Sequence, residues 1–241
     1  MLLEIKNLEA TSNGKKEILK GINFQIKKGE IQALLGPNAS GKSTFAQVIS
    51  GNPKYEIKKG EIFLNGKNIT KLPPEERTKL GVCLSWQSAP AIKGVKLYQL
   101  LDRISKDELQ KSNLKELGIK DSFLLRDTNL NFSGGEKRIS ELLQILSLKP
   151  KLVIFDEIDS GLDLKKIRIF SDIIKKELID KKISILLITH SGEILNFLKP
   201  AITNVMVSGK IICREKNFKK VLATIKKYGY EKCKKCGLLA N

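Results

Sequence analysis

The chain has 241 residues, of which 41% are hydrophobic and 29% are charged, a composition typical of a globular protein long enough to bury a sizeable core. No apolar run reaches the roughly 18 residues that span a bilayer. The first residues, Met1–Lys6, alternate like a strand and include an acid, which is unlike a signal peptide. We therefore expect a cytoplasmic protein that inserts into no membrane by itself.

The net charge is +18, from 44 basic and 26 acidic residues. An excess of this size leaves two interpretations open: a nucleic acid or anionic membrane partner, or a lysine-rich surface exposed to solvent. Aromatic residues make up 6% of the chain and do not interleave with the basic runs, so the stacking surface that single strands need is missing. The pattern favours a solvated surface and makes a nucleic acid an improbable partner.

The first third of the chain combines two strand patterns. Leu2–Leu8 and Ile18–Ile26 alternate between apolar and polar residues, which predicts antiparallel strands, and a further strand is predicted over Glu61–Leu64. Between them, the continuous apolar run Ile31–Leu35 leads into a glycine-rich loop and then a helix over Thr44–Ile49. This part of the sequence predicts an N-terminal antiparallel β subdomain beside a strand–loop–helix unit.

The character of the sequence changes to helical between residues 88 and 150. Apolar residues recur with helical spacing over Leu97–Ile104, Asp107–Leu117 and Gly135–Leu148. We interpret this part as a helical insert, or subdomain, within an α/β body.

Two buried strands and a helix follow the insert. Leu152–Phe155 and Ile183–Ile188 are continuous apolar runs typical of parallel strands, and the amphipathic stretch Leu164–Leu178 connects them. A hairpin over Val205–Ile212 and a basic helix over Asn217–Lys227 come last. The predicted fold is α/β, with a mixed P-loop sheet, the antiparallel subdomain and the insert in one domain over residues 1–230, before a basic tail over 231–241.

The glycine-rich loop has the spacing of a P-loop. Its segment, Gly36-Pro-Asn-Ala-Ser-Gly-Lys-Ser43-Thr44, follows an apolar strand and precedes a helix. Backbone N–H groups of such a loop bind phosphate oxygens, its lysine reaches the β- and γ-phosphates, and its serine hydroxyl binds Mg²⁺. The predicted nucleotide-binding residues are Gly36, Asn38, Ala39, Ser40, Gly41, Lys42, Ser43 and Thr44, with Lys42 also catalytic and Ser43 also a metal ligand.

Four polar residues stand where other predicted strands end. Asp156 and Glu157 close the strand from Leu152, so Asp156 is predicted to hold Mg²⁺ and Glu157 to act as general base on the attacking water. His190 follows the strand from Ile183 and is predicted to contact the γ-phosphate. Gln87 follows a strand over Gly81–Trp86, where its amide is predicted to bind Mg²⁺ or the water.

A second anion-binding helix start is predicted at Ser133-Gly134-Gly135. Bare glycines after a serine expose backbone N–H groups, although an ordinary helix cap would use the same residues. The chain already has one P-loop, so a second phosphate-binding element indicates a nucleotide held by another subunit.

Together, the P-loop, Phe132-Ser-Gly-Gly-Glu-Lys137, Leu152–Glu157 and Thr189-His190 resemble the ATP-binding-cassette (ABC) family over residues 2–230. The resemblance implies ATP hydrolysis with Mg²⁺ and an ATP-dependent head-to-tail homodimer. Ser133, Gly134 and Gly135 would then contact the partner's γ-phosphate, and Asp163 would belong to the D-loop at the dimer interface.

The sequence departs from the family pattern at two places. The family often has glycine where Ala39 stands, and residues 11–15 lack the aromatic residue that stacks on adenine in the family. Selectivity for the base is therefore open.

Finer details resemble SufC, the soluble ATPase of the SUF iron–sulfur cluster assembly system. They are Glu136 in the signature motif, where transporters usually have glutamine, the phrase Glu157-Ile-Asp-Ser-Gly-Leu-Asp163 and the ending Lys227-Tyr-Gly-Tyr230. The resemblance implies a SufB/SufD-type scaffold partner that docks near 87–104. The alternative is the nucleotide-binding subunit of a membrane transporter. A nucleic-acid-associated ABC protein is disfavoured, because the insert is too short for a long coiled coil.

Four cysteines divide into two kinds. Cys83 and Cys213 lie in apolar strands and are predicted to be small core residues. Cys233-Lys-Lys-Cys236 has the spacing of half a zinc site, but no second pair lies nearby. Incidental thiols of a disordered basic tail and a half-site completed by another subunit both remain open.

Overall fold

The computed structural model describes residues 1–14, 16–85, 89–105 and 119–235. Its strands form two sheets. In chain order the strands are β1 Leu3–Ser12, β2 Lys16–Ile26, β3 Ile31–Leu35, β4 Tyr55–Leu64, β5 Lys67–Asn68, β6 Val82–Leu84, β7 Leu152–Asp156, β8 Ser184–Ile188, β9 Ile202–Val207 and β10 Lys210–Glu215.

The helices pack between and around these sheets. In chain order they are α1 Lys42–Ser50, α2 Pro74–Lys79, α3 Leu97–Ile104, α4 Asp121–Leu124, α5 Gly134–Ser147, α6 Leu164–Ile174, α7 Leu195–Leu198 and α8 Phe218–Tyr228. A π-helical turn, Lys175–Ile179, extends α6, and a 3₁₀ helix, Tyr230–Lys235, follows α8.

The smaller sheet is antiparallel, with strand order β2-β1-β4-β5. Its inner face and α1 share one core, in which Phe24 and Phe45 make an edge-to-face contact with ring centroids 5.3 Å apart. β4 begins at Tyr55, six residues before the predicted start, because its exposed lysines and glutamates follow the pairing with β1 rather than an apolar pattern. The N-terminal antiparallel β subdomain is confirmed.

The larger sheet has strand order β10-β9-β3-β8-β7-β6. β9, β3, β8, β7 and β6 run parallel, and β10 adds an antiparallel edge strand through the predicted hairpin. β7 and β8 are buried along their whole length, which explains why their sequences are continuously apolar. Because these strands are parallel, the residues that follow β3, β7 and β8 come together at one edge.

The helical insert has a small core of its own. Leu97 and Leu101 of α3 pack with Phe132 and with Leu143 of α5. The bounds of α3 match the prediction, and α5 begins one residue before it. The helix predicted over Asp107–Leu117 lies outside the described residues.

The C-terminal part of the chain is packed against the large sheet. α8 begins after Asn217, whose side chain accepts a hydrogen bond from the backbone N–H of Lys220. In the following 3₁₀ helix, Cys233 is 0% exposed and lies in the same core as Cys213. The domain end predicted at residue 230 therefore falls within packed structure, because the apolar face of this helix covers the sheet.

The three described cysteines are all buried, and none is in a disulfide. The core positions predicted for Cys83 and Cys213 are confirmed. Across residues 1–14, 16–85, 89–105 and 119–235, no cluster of three or more metal-ligating side chains occurs. Cys236, the other half of the predicted zinc pair, lies outside this part of the chain.

Candidate active site

The P-loop joins the end of β3 to the start of α1. Gly36 lies so close to β9 that an added Cβ would be 2.2 Å from the carbonyl oxygen of Met206, so no side chain fits there. Gly41 is the residue before α1 and has φ of 106°, and no side chain caps this helix. Ala39 has φ of 60°, a left-handed conformation that is costly for a residue with a Cβ. The loop thus exposes its N–H groups at the price of local strain.

Lys42 is held inside the loop. Its Nζ donates to the carbonyl oxygens of Gly36 at 2.9 Å and Pro37 at 3.0 Å. Burial lowers the pKa of Lys42, while the nearby charges of Glu157 and Asp156 act in the opposite direction. The ammonium group is therefore already oriented toward the loop, where it can exchange a carbonyl partner for a phosphate oxygen.

A cleft of about 560 Å³ opens above the loop. It is lined by the seven successive P-loop residues from Asn38 to Thr44, together with Glu157 and with residues of β2 and the β9–β10 turn. Of the described residues that line this cleft, none is aromatic. The absence of an aromatic residue to stack on adenine remains a prediction from the sequence. Lys15, the last residue of the segment concerned, lies outside the described residues.

Asp156 is a buried carboxylate beside the P-loop. It is 3% exposed, and burial is the main cause that raises its pKa, against a hydrogen bond from the Ser43 side chain. Its Oδ1 atom is buried without a hydrogen-bond partner, as is Oγ of Ser40. Carboxylate and hydroxyl oxygens are ligands that Mg²⁺ prefers, so the pair Ser43 and Asp156 fits a magnesium site.

Glu157 and His190 meet at the same edge of the sheet. Nδ1 of His190 lies 3.4 Å from Oε1 of Glu157, and the two side chains are 46% and 23% exposed. Glu157 has φ of 55°. Its backbone is fixed by Ile188, whose carbonyl accepts from the Glu157 N–H at 2.8 Å, and by Arg138, which donates to the Glu157 carbonyl at 3.3 Å. The Glu157 side chain is thus directed into the cleft by a left-handed backbone that two hydrogen bonds hold in place.

A carboxylate that the sequence had not singled out for this site supports the His190 loop. Oδ2 of Asp159, which is 6% exposed, accepts hydrogen bonds from Thr189 Oγ1 at 2.8 Å and Ser191 Oγ at 2.7 Å. These two residues flank His190, so Asp159 ties the segment after β7 to the segment after β8. In the sequence, Asp159 stood out only as part of the SufC-like phrase Glu157-Ile-Asp-Ser-Gly-Leu-Asp163.

The signature residues stand at the start of α5. Ser133 Oγ accepts from the Glu136 N–H at 3.3 Å, and the Glu136 carboxylate accepts from the Ser133 N–H at 2.7 Å. Arg126 pairs with Glu136 and donates to the Asn131 carbonyl at 2.9 Å. The N-terminus of this helix is therefore capped and braced by its own chain.

The structure groups the predicted residues into two sets. The cleft lining includes Asn38 to Thr44 and Glu157, and Asp156, His190 and Gly36 adjoin it through the contacts above. Ser133, Gly134, Gly135 and Asp163 do not line that cleft. Asp163 is exposed and caps α6, accepting from the Lys166 N–H at 2.9 Å. Gln87 lies outside the described residues.

Comparisons with known proteins agree with this arrangement. The family model described as ABC transporter matches residues 19–160. A protein of Cyanophora paradoxa named probable ATP-dependent transporter ycf16 is 40% identical over 227 residues, covering 88% of this chain and 87% of that protein. A probable ABC transporter ATP-binding protein of Streptococcus pyogenes serotype M3 is 40% identical over 225 residues, with the same two shares.

Solved structures share the fold. The ADP conformation of MJ1267, an ATP-binding cassette of an ABC transporter, superposes with a TM-score of 0.78 at 22% identity, covering 96% of this chain and 97% of that chain. The dimeric MJ0796 cassette with ADP and phosphate bound gives a TM-score of 0.74 at 21% identity, covering 89% and 98%. None of the helices within the described ranges is long and apolar enough to cross a membrane. The family model and the 40% identical relatives show that this chain belongs to the ABC transporter family, as an ATP-binding cassette.

Proposed function

We propose that this cassette hydrolyses ATP with Mg²⁺ at the edge formed by β3, β7 and β8. The observation that carries the proposal is the meeting of Lys42, Ser43, Asp156, Glu157 and His190 around one cleft. Lys42 and the P-loop N–H groups bind the phosphates, and Ser43 and Asp156 hold Mg²⁺, with Gln87 as a further predicted ligand. When bound there, Mg²⁺ would supply positive charge that offsets the negative charge of the phosphates.

Glu157 is the proposed general base. Its carboxylate stands at the mouth of the cleft and takes the proton of the attacking water, while Nδ1 of His190 lies 3.4 Å away. His190 can thus orient the carboxylate with one ring nitrogen and offer the other to the γ-phosphate. The fixed backbone of Glu157 limits the reorganisation needed at the moment of reaction.

The second half of the site is proposed to come from another copy of the chain. Ser133, Gly134 and Gly135 start a helix whose N-terminus does not line the cleft of its own chain, which fits contact with a partner's γ-phosphate. Asp163, at the exposed start of α6, is proposed to lie in the same interface. The MJ0796 cassette is dimeric with ADP and phosphate bound, and a head-to-tail dimer of this chain would complete two sites.

The protein that the cassette drives is proposed to be a SufB/SufD-type scaffold for iron–sulfur cluster assembly in the cytoplasm. This rests on the SufC-like residues Glu136 and Asp159, both of which make defined contacts: Glu136 caps α5, and Asp159 supports the His190 loop. In this scheme ATP favours the closed dimer, hydrolysis removes that preference, and the movement is passed to the scaffold. The alternative is a membrane transporter, as the names of the relatives say of those proteins.

The proposed docking surface is the groove between α1, α2 and β6 on one side and α3 and α5 on the other. It has a volume of about 630 Å³ and is lined largely by apolar side chains, among them Leu84, Leu100 and Ile145. Ile92 and Tyr98 of the adjoining insert are 37% and 45% exposed. Apolar side chains left exposed around a groove are typical of a surface that a partner covers.

The test is capture of the tagged chain from its own cells, with partners identified in soluble and membrane fractions. The proposal expects a scaffold that binds iron–sulfur species, and a Leu100→Arg variant should lose it while keeping ATP binding. Ile169→Arg, at a position on α6 that is 51% exposed and does not line the groove, is a control that leaves the groove intact. A polytopic membrane protein in place of the scaffold would support the transporter alternative.

A further inference from the structure

The C-terminal segment, here Phe218–Lys235, touches the loop that carries His190. The hydroxyl of Tyr230 donates a hydrogen bond to the backbone carbonyl of His190 at 3.3 Å. These residues are 40 positions apart in the sequence. None of the motifs that predict the ATPase includes a residue of this segment.

A second contact brings α8 against the same loop. Gly192, two residues after His190, has φ of 71°, and a Cβ built on it would lie 2.6 Å from Cδ2 of Leu222 on α8. The loop therefore packs directly on the Leu222 side chain, which would have to move if position 192 carried a Cβ. Two separate contacts thus join the C-terminal segment to this loop, one at His190 and one at Gly192.

The segment is anchored firmly enough to act as a support. Val221 and Cys233, which stand on either side of Tyr230 in the chain, are both 0% exposed and belong to the core shared with α6 and the large sheet. Burial, and secondarily the neighbouring Cys233, raise the pKa of Tyr230. The phenol therefore stays protonated at neutral pH and remains a hydrogen-bond donor.

We infer that Tyr230 is a positioning residue that holds the His190 loop from the C-terminal segment, in addition to the support from Asp159. The inference rests on the proposed role of His190 in hydrolysis. Asp159 binds the hydroxyls of Thr189 and Ser191, and Tyr230 binds the carbonyl between them. With both supports the imidazole keeps its orientation toward Glu157, while without Tyr230 the carbonyl of His190 can rotate and take the ring with it.

The test compares Tyr230→Phe with Tyr228→Phe. The first removes the donor and keeps the ring. The second is the matched control, since Tyr228 is 50% exposed and its ring contacts Lys227 and Lys232. We expect Tyr230→Phe to lower kcat about three- to ten-fold, because a His190 ring that is no longer held in place would lose part of its interaction with the transition state. KM for ATP and Tm should stay within error of the wild type, and Tyr228→Phe should match the wild type throughout.

A spectroscopic measurement makes the test independent of turnover. His190 is the only histidine in the chain, so after removal of any affinity tag its imidazole gives one set of ring resonances. Tyr230→Phe should shift or broaden these resonances, and Tyr228→Phe should leave them in place. Unchanged resonances together with an unchanged kcat would overturn the inference.

His190→Ala separates this inference from the proposed function. If His190→Ala hydrolyses ATP at the wild-type rate, the proposed role of His190 fails and the inference fails with it. If His190→Ala is inactive but Tyr230→Phe behaves as the wild type in both kcat and ring resonances, the proposed function stands and the role of Tyr230 is refuted. A fall in Tm with no change in the His190 resonances would mean that Tyr230 is structural, which also refutes it.

Discussion

The N-termini of α1 and α5 are both predicted to bind phosphate, yet they differ in how their backbone N–H groups are capped. At α1 the residue before the helix is Gly41, no side chain caps the N–H groups, and Lys42 is bonded to loop carbonyls. At α5 Ser133 and Glu136 cap each other reciprocally, and Arg126 pairs with Glu136. The first helix start is left open for a ligand, while the second is complete without one.

The two helices are anchored at opposite ends. α1 is held at its far end, because the buried guanidinium of Arg77 donates to the carbonyls of Val48 and Ile49 at 2.8 and 2.9 Å. α5 is held at its near end, by the cap itself. In the proposed function, α1 receives phosphate from its own cleft and keeps its N-terminus free, whereas α5, proposed to face another subunit, has its N-terminus secured.

The largest expected effect is on catalysis at the cleft above the start of α1, in a variant that should still bind the phosphates of ATP. Glu157→Gln should lower kcat by about 10²- to 10⁴-fold, because the amide cannot accept the proton of the attacking water, and it should still bind ATP and accumulate the closed dimer. Steady-state hydrolysis, ATP binding and light scattering check this. Glu193→Gln, an exposed position on the same loop as His190, is the control, and a Glu157→Gln variant with wild-type turnover would exclude Glu157 as the base.

The anchor at the far end of α1 can be broken separately. Arg77 is 2% exposed, its pKa is lowered to about 10 by burial, and its remaining donors bind the carbonyls of Leu72 and Thr70. Arg77→Met should destabilise the fold by about 2–4 kcal/mol, since buried carbonyls lose their donors, or roughly 5–15 °C in Tm. Thermal melts would measure it. Arg168→Met, on the exposed face of α6, is the control and should leave Tm nearly unchanged. Equal Tm shifts in the two variants would contradict the proposal that Arg77 anchors α1.

A smaller and opposite effect is expected at the buried carboxylate. Asp156→Asn should stabilise the ligand-free protein at pH 7 by about 1 kcal/mol, or roughly 2–4 °C in Tm, while abolishing stabilisation by Mg-ATP. The pKa of Asp156 is raised by burial, so the folded state holds this proton more tightly than the unfolded state. The cost of ionisation is therefore absent below the ordinary carboxyl pKa and grows as pH rises through the raised value.

Melting curves of the wild type and Asp156→Asn, recorded from pH 4 to 7 without metal, check this sign. The two curves should converge at the acid end and separate toward neutrality. A Tm gap that is constant over the whole range, or an Asn variant that is less stable at pH 7, would show that Asp156 is not an ionised, under-compensated group in the free protein.

The smallest effect concerns the cap of α5. Glu136→Gln keeps the shape of the cap but removes its charge, so stability should fall by about 0.5–1 kcal/mol through loss of the Arg126 pair and the helix-dipole contact. The Ser133 N–H bond and Arg126 lower the pKa of Glu136, so this stability is present above its unfolded pKa and is lost as pH falls through the lower folded value. Urea unfolding of the wild type and Glu136→Gln at pH 7 and pH 3.5 would measure this loss. An equal difference in unfolding free energy at the two pH values would contradict the charge-dependent role of Glu136.

Most of the fold was predictable from apolar patterns. β3 and α3 match their predicted bounds, and the strands that lead to Asp156 and His190 were predicted because strands buried on both faces are continuously apolar. The helices α2, α4 and α7 were missed, since four to six residues are too few for helical periodicity to be recognised. β4 was predicted too short because lysines, glutamates and a glycine surround the half-buried Tyr55 and Ile57 in its first half.

The site was predictable to the extent that its chemistry follows from local motifs. The P-loop, Asp156, Glu157 and His190 converge as expected. The supports do not have a local signature: Asp159 reaches Thr189 and Ser191 from 30 and 32 positions away, and Tyr230 reaches His190 from 40. Such contacts depend on the tertiary fold and not on any periodicity in the sequence.

The measurement that tests the shared site most directly mixes two inactive variants. Lys42→Ala damages the P-loop, and Gly134→Asp places a carboxylate where the partner's γ-phosphate would lie. Gly134 is suited to this, because a Cβ there would meet nothing within 4 Å in its own chain. Each variant alone should be inactive and folded, while a 1:1 mixture should recover up to about a quarter of wild-type activity through dimers with one intact site. An inactive mixture, or an active Gly134→Asp variant, would contradict a site shared between two chains.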